Sequence, residues 1–485
     1  MTTPPASAAA SLPTRSSERH TLAAPPPRPW RRSVVGLLAL LALCGCKKKK
    51  EEAETIAPPP AGGASLELVQ TGIGAGVALD AALAPTSTQW ERVFVLDENH
   101  AVVVGRSLDV AIALRTEDGG RSWTALKAEA GDVRGWGVAA DGGLVLATGR
   151  RAKPVAKGKP APIEQVKLYF AGPRASDLTG PVALLPAEGK LKGATAPTDA
   201  LRPVPLPNDL GALLVSFGPR KLAIAYGAPA GKAVPDPSAL APGEDVVPVS
   251  YGRPPAMLSI KGGAVLVRPW PNPGEPLGVA SPIPGFRADA NVLRQLGEGP
   301  SCDAGGWSFQ RVVQPPSTAI LVGIGPSRAF AVKLPYGDAS LLGCSSDAVV
   351  LQASEAKTGA PLLLHCTLDG KCSTPKSAPF RIWPEKHDRM LNAAPTEQGV
   401  IATLSARAGA RWGLYLGQSL DHGQLFELPR VVGEGSSERG MFQLGAQIPL
   451  PKRTVLLVSA DVTGTTRRGW YALASDDGGT NWGPP

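Results

Sequence analysis

The octet TEDGGRSW, Thr116 to Trp123, returns near the end of the chain as SDDGGTNW, Ser475 to Trp482, and in weaker form as SLDHGQLF, Ser419 to Phe426. Each places a Ser or Thr two positions before an Asp, a Gly two positions after it, and an aromatic residue three beyond the Gly. An acid repeated at fixed spacing could carry out general acid or base catalysis, or it could fix a turn. Turn chemistry accounts for every member of the set. Asp accepts hydrogen bonds from backbone amides, Gly takes the positive φ that tight turns require, and the aromatic ring offers an apolar face for packing. Thr116, Asp118, Gly120 and Trp123 are therefore read as a structural staple. So are Ser419, Asp421, Gly423 and Phe426, with Phe in place of Trp, and Ser475, Asp477, Gly479 and Trp482. TLDGKC, from Thr367, is a weaker relative.

Other reactive side chains are scattered. Beyond residue 45 the histidines are His100, His365, His387 and His422, with no HExxH and no pair at helical spacing. No GxSxG and no P-loop occur, and GIGAG at Gly72 to Gly76 is too short for a dinucleotide loop. Four cysteines, Cys302, Cys344, Cys366 and Cys372, allow three pairings into two disulfides. The Asp-Gly turn inside HCTLDGKC favours Cys366 with Cys372, and Cys302 with Cys344 follows by elimination. A zinc site competes less well, since no CxxC is present and His365 is the only imidazole close by in the sequence. These residues imply no metal and no cofactor.

The elements that must carry the octets are short strands. Hairpin-like units recur along the chain, among them RVFVLDENHAVVVG, WGVAADGGLVLATG, MLSIKGGAVLVRP, LLGCSSDAVVLQA and GAQIPLPKRTVLLVS. Their spacing and the abundance of Gly (56) and Pro (50) oppose long helices and predict an all-β chain, a β-propeller of about seven four-stranded blades, with eight or six as alternatives. TAILVGI and AVVLQA start too close together for a full blade between them, which sets the preference for seven. The octets fall where a third strand turns into a fourth. The last one leaves only TNWGPP for a final strand, so ASLELVQTGIG near the start is expected to pair beside it and close the ring. RRAKPVAKGKPAPIEQ and PAGKAVPDPSALAPGEDV read as loops rising from blade ends.

The octets resemble the Asp-box, or BNR, repeat of sialidase-like propellers. VVVG followed by ALRTEDGGRSW is also similar to propellers of the photosystem-II-assembly-factor type, a resemblance from which Pro154 to Pro315 departs. The first resemblance implies a catalytic set of three arginines, a Tyr/Glu pair and an Asp, with an early Phe-Arg-Ile-Pro segment. Only FRIWP, Phe380 to Pro384, approaches that segment, late in the chain and with Trp383 for proline. None of the six tyrosines is followed by a glutamate arrangement that marks a nucleophile. The reading is therefore non-catalytic, with a sialidase-like glycoside hydrolase or glycan-binding module as the alternative. The second resemblance implies an assembly role.

Ahead of the strands, VVGLLALLALCGC is an apolar run of signal-peptide length behind RPWRRS. LCGC resembles a bacterial lipobox, which implies cleavage before Cys46 and lipid attachment to it. The expected division is a signal peptide over 1–45, a lipid-anchored tether over 46–64 that begins with Lys47 to Lys50, and a propeller over 65–485. Formal charge is +9, but removing 1–45 lowers it to +5, and the lysine run supplies most of the remainder, so no basic stripe for nucleic acid exists. The partners expected are a membrane through the Cys46 lipid and a protein of the cell envelope, with a glycan as the alternative ligand. Lys47 after the cysteine, in place of an aspartate, favours the outer membrane over the inner.

Overall fold

Central strands such as Val110–Thr116 and Ala101–Ser107 are buried at nearly every position, not at alternate ones. Sheets covered on both faces produce this pattern, as happens when small sheets stack side by side. The last strand of the same sheet, Thr124–Glu129, alternates between exposed and buried because its outer side meets solvent. A computed structural model describes most residues from Val77 to Pro485. Everything before Val77, the stretches 152–162, 184–193, 230–245, 270–278 and 376–388, and several shorter ones stand outside the described residues. Cys46, the tether, ASLELVQTGIG, most of the two loop insertions, FRIWP and His387 therefore fall outside them.

The fold is a β-propeller, nearly all β. Antiparallel units of three or four strands follow one another along the chain. Eight are present among the described residues, two of them joined into one eight-stranded sheet. They occupy 89–129, 133–183, 194–227, 246–287, 301–333, 340–367, 389–436 and 441–475. The sequence favoured seven because Thr318–Ile324 and Ala348–Ser354 lie close together. They belong to different units because the sixth is short. Among the described residues, its three strands are followed only by a bridge between Cys372 and Cys366.

The ring closes at the eighth unit. Val77–Ala78 pairs antiparallel with Arg468–Ser475, Val77 opposite Ala472, and Gly483 bridges Ala474 further along the same strand. The closing strand lies just after the segment the sequence had pointed to, and it fills the edge position that the chain's last residues fill only in part.

The innermost strands of five units surround one cavity. Gln89–Val95 contacts Met441–Leu450, which contacts Arg389–Thr396, then Ser340–Cys344, then Ser301–Ala304. Ser301–Ala304 returns to Gln89–Val95 in a parallel pairing at Ala304 and Val95. That pairing pinches the ring, and the second, third and fourth units lie outside the five-strand circuit. Apolar clusters bind them in series: Phe94 and Leu126 with Trp136 and Leu146, then Val145 and Phe170 with Leu201 and Leu213, then Leu206 and Leu258 with Val312 and Val322.

Among the described residues one helix, Ala290–Glu298, is present, and it precedes the fifth unit. Asp289 caps it by accepting a bond from Val292 N at 2.9 Å, and Val292, Leu293 and Leu296 are buried against the strands. The Gln295 side chain accepts from Val313 N at 2.9 Å and donates to Val313 O at 3.2 Å, which ties the helix to the fifth unit.

Candidate functional site

The three octets form the same turn between third and fourth strand positions. In the first, Gly120 N donates to Thr116 Oγ1 at 2.8 Å, Ser122 N donates to Asp118 Oδ1 at 2.8 Å, and Trp123 Nε1 donates to Gly120 O at 2.9 Å. The last repeats this with Gly479 N on Ser475 Oγ at 2.8 Å, Asn481 N on Asp477 Oδ1 at 2.8 Å, and Trp482 Nε1 on Gly479 O at 2.9 Å. The middle one keeps Gly423 N on Ser419 Oγ at 2.9 Å and Leu425 N on Asp421 Oδ1 at 2.8 Å. Phe426 has no indole N–H to complete the set. Burial opposes ionisation of Asp118, but hydrogen bonds from Ser122 and Thr116 outweigh it and hold the carboxyl below its ordinary range. Asp421 and Asp477 are held down in the same manner. All three carboxylates are occupied in fixing their own turns.

The turns also set the spacing between neighbouring units. Gly120 has φ +92°, and a Cβ there would lie 2.9 Å from Cγ2 of Val455 in the eighth unit. Gly479 has φ +97°, and a Cβ there would lie 3.1 Å from Ile401 in the seventh. Glycine thus serves both the positive φ and the close approach.

The cysteines pair as Cys302–Cys344 and Cys366–Cys372. The first joins the inner strands of the fifth and sixth units, and the second closes the turn after Pro361–Thr367. His365, buried on that strand, lies against His422 of the middle octet with ring centroids 4.9 Å apart. Burial, and then the neighbouring imidazole, push the His365 pKa down to about 4. Among the described residues no group of three or more His, Cys, Asp or Glu is placed to hold a metal ion.

Among the described residues, a candidate for binding is the cavity inside the five inner strands, of about 510 Å³, within the range usual for ligand sites. Strands far apart in the sequence supply its wall: Trp90, Glu91 and Arg92 from the first unit, Asp303 from the fifth, Leu342 from the sixth, Asn392 from the seventh, and Gln443 and Gly445 from the eighth. Arg92 forms an ion pair with the fully buried Asp303 and donates to Ser301 Oγ at 2.7 Å. Burial, joined by the positive charge of Arg202, pushes the Arg92 guanidinium down to about 9, so it stays charged at neutral pH beside its carboxylate. Glu91 meets Arg134 at 2.8 Å and Arg106 at 3.7 Å. Each charged side chain of the wall therefore faces an opposite charge. Trp90 stands edge-on to Trp470, centroids 5.6 Å apart, and Gly445 fits between them, where a Cβ would come 2.2 Å from one ring and 2.4 Å from the other.

None of these wall residues was singled out in the sequence as a site residue. They belong to different units, and the octets that the sequence did reveal form turns elsewhere. Trp90, at the start of the strand Gln89–Val95, is the single signal that could have drawn notice.

No family model matches the chain, and no curated protein does. Similar solved structures include an ulvan lyase described as a new family of polysaccharide lyase (9% identity, 81% of this chain and 94% of that one, TM-score 0.34). A WD40 domain of SCAP from fission yeast is similar at 9% identity over 80% of this chain and 94% of that one, with TM-score 0.34. A prolyl endopeptidase is similar at 12% identity over 81% of this chain and 55% of that one, with TM-score 0.35. These likenesses are to enzymes and to a non-enzymatic domain alike, and the fold assignment rests on the sheets themselves.

Proposed function

We propose that this protein is a binding or scaffold propeller of the bacterial cell envelope, anchored through a lipid on Cys46, that holds its partner in the cavity of the five inner strands. The cavity carries this reading: it is closed on its sides by strands from five units, mixed in polarity, and internally neutral, with Arg92 answered by Asp303 and Glu91 by Arg134 and Arg106. A hydrolase of sialidase-like type would require a cluster of arginines with Tyr and Glu. The described residues lining the cavity include one arginine and no tyrosine. LCGC followed by a lysine run supports the anchor, and Lys47 favours the outer membrane.

Intact mass and membrane fractionation of the native protein beside Cys46→Ala test the anchor. Acyl mass and membrane retention that are both lost in the variant support it. A native protein that is unlipidated and free of the membrane refutes it.

A further inference from the structure

Three of the five inner strands carry a one-residue bulge at the level of the cavity. In Gln89–Val95 the pairing passes from Trp90 opposite Gly105 to Arg92 opposite Val104, so Glu91 is the extra residue. In Ser340–Cys344 it passes from Leu341 to Gly343 and leaves out Leu342. In Met441–Leu450 it passes from Leu444 to Ala446 and leaves out Gly445. All three bulged residues line the cavity. An extra residue is left unpaired where the ladder is disrupted, and bulges are over-represented next to active sites. Among the described residues, three inner strands, Ser340–Cys344, Arg389–Thr396 and Met441–Leu450, are also the end members of their sheets, with one edge unpaired. Such edges are templates for another strand.

The side chains around this collar agree with an uncharged ligand rich in both donors and acceptors. Trp90 Nε1 is buried without a hydrogen-bond partner, which calls for an acceptor. Asn392 and Gln443 add carboxamides, which donate and accept. The charged groups of the wall are already matched. A neutral sugar would share these polar needs, but sugar rings stack on open aromatic faces. Trp470 is only 5% exposed, and the edge-on packing of Trp90 with Gly445 between the two rings leaves little face to offer.

We infer that the cavity receives an uncharged polypeptide segment in extended conformation, bound through the backbone groups freed at Glu91, Leu342 and Gly445 and oriented by Asn392, Gln443 and the Trp90 indole. This assignment rests on the proposed binding role of the same cavity. Specificity for sequence is then modest, because main-chain bonds supply most of the recognition, and bulky or charged side chains are excluded by the neutral, confined wall.

The test uses the full-length protein immobilised through its C-terminus. It is offered a pool of end-blocked heptapeptides without Asp, Glu, Lys or Arg, the same pool N-methylated along its backbone, and the neutral oligosaccharides maltoheptaose and chitohexaose. Retention is read by mass spectrometry. The expected result is that the first pool alone is retained, and that Asn392→Ala with Gln443→Ala lowers retention about tenfold. Among the described residues neither side chain has a side-chain hydrogen bond to lose, so the fold is kept. Equal retention of the N-methylated pool overturns the inference, because backbone donors would then be unnecessary. Oligosaccharide retention that the double variant abolishes overturns it too, yet leaves the cavity standing as a binding site. If nothing is retained, or the double variant changes no retention, the cavity reading and the peptide assignment fail together.

Discussion

Arg92 and Asp303 form an ion pair across the seam at which the first and fifth units join, within the same strands that pair at Ala304 and Val95. Asp303 is fully buried and the Arg92 side chain 22% exposed, so removing either charge leaves the other desolvated without its partner. Asp303→Ala is expected to cost about 3–5 kcal/mol of unfolding free energy. Arg92→Met with Asp303→Leu is expected to recover most of that loss, as paired apolar replacements of buried ion pairs do. Urea denaturation of the three proteins measures it. A double variant no more stable than Asp303→Ala would show that the pair does more than neutralise itself.

The octet turns are expected to be fragile at glycine and robust at the aromatic position. Gly120→Ala places a Cβ against Val455 at φ +92°, and should cost about 1–3 kcal/mol. Trp123→Phe removes one indole bond to Gly120 O, and should cost about 1 kcal/mol. The middle octet already lives with Phe426. Thermal melts of both variants decide whether the ranking holds.

His365 supplies a pH dependence whose sign is fixed by its burial. Its folded pKa of about 4 lies below the unfolded value of about 6.5. Between these values the unfolded chain takes a proton that the folded chain refuses, so stability falls as pH drops from about 6.5 toward 4. The loss approaches about 3 kcal/mol by linkage. Denaturant midpoints across this window should show His365→Gln with a flatter slope than the parent. Parallel curves would mean that His365 is not the titrating group. The octet aspartates act below this window. Their folded pKa values are depressed, so their contribution is present above the ordinary carboxylate range and is lost as pH falls through the folded values.

Cys302–Cys344 spans 42 residues and Cys366–Cys372 only 6. On the loop-closure argument the first bridge should contribute about 4 kcal/mol and the second about 2. Single-pair Cys→Ala variants, melted under oxidising conditions, should preserve that order.

What was legible in the sequence was local. Ser475, Asp477 and Gly479 specify their turn by spacing alone, because all partners lie within a few residues. Cys366 and Cys372 were readable for the same reason. The seam was not legible. It depends on one residue pair, Ala304 with Val95, and nothing local distinguishes that contact from any other inner strand. The helix Ala290–Glu298 had a readable cap in Asp289 and helical spacing at Val292, Leu293 and Leu296, but it lies in a Gly/Pro-rich region whose composition opposed it. The cavity was illegible for a further reason. Its polar groups reach one another only when five strands converge, and a bulge at Glu91, Leu342 or Gly445 is a property of two paired strands, not of one.

The most direct test of the account places a photo-crosslinking residue at position 443, in the cavity wall, of the full-length protein in intact cells, with the same residue at position 371 as control. Lys371 projects into solvent, 86% exposed, and is not part of the cavity wall. A discrete adduct is expected from position 443, with none from 371. Adducts from 371 alone, or from neither position under conditions where the protein is folded and retained in the envelope, would contradict the claim that the cavity is where this propeller binds.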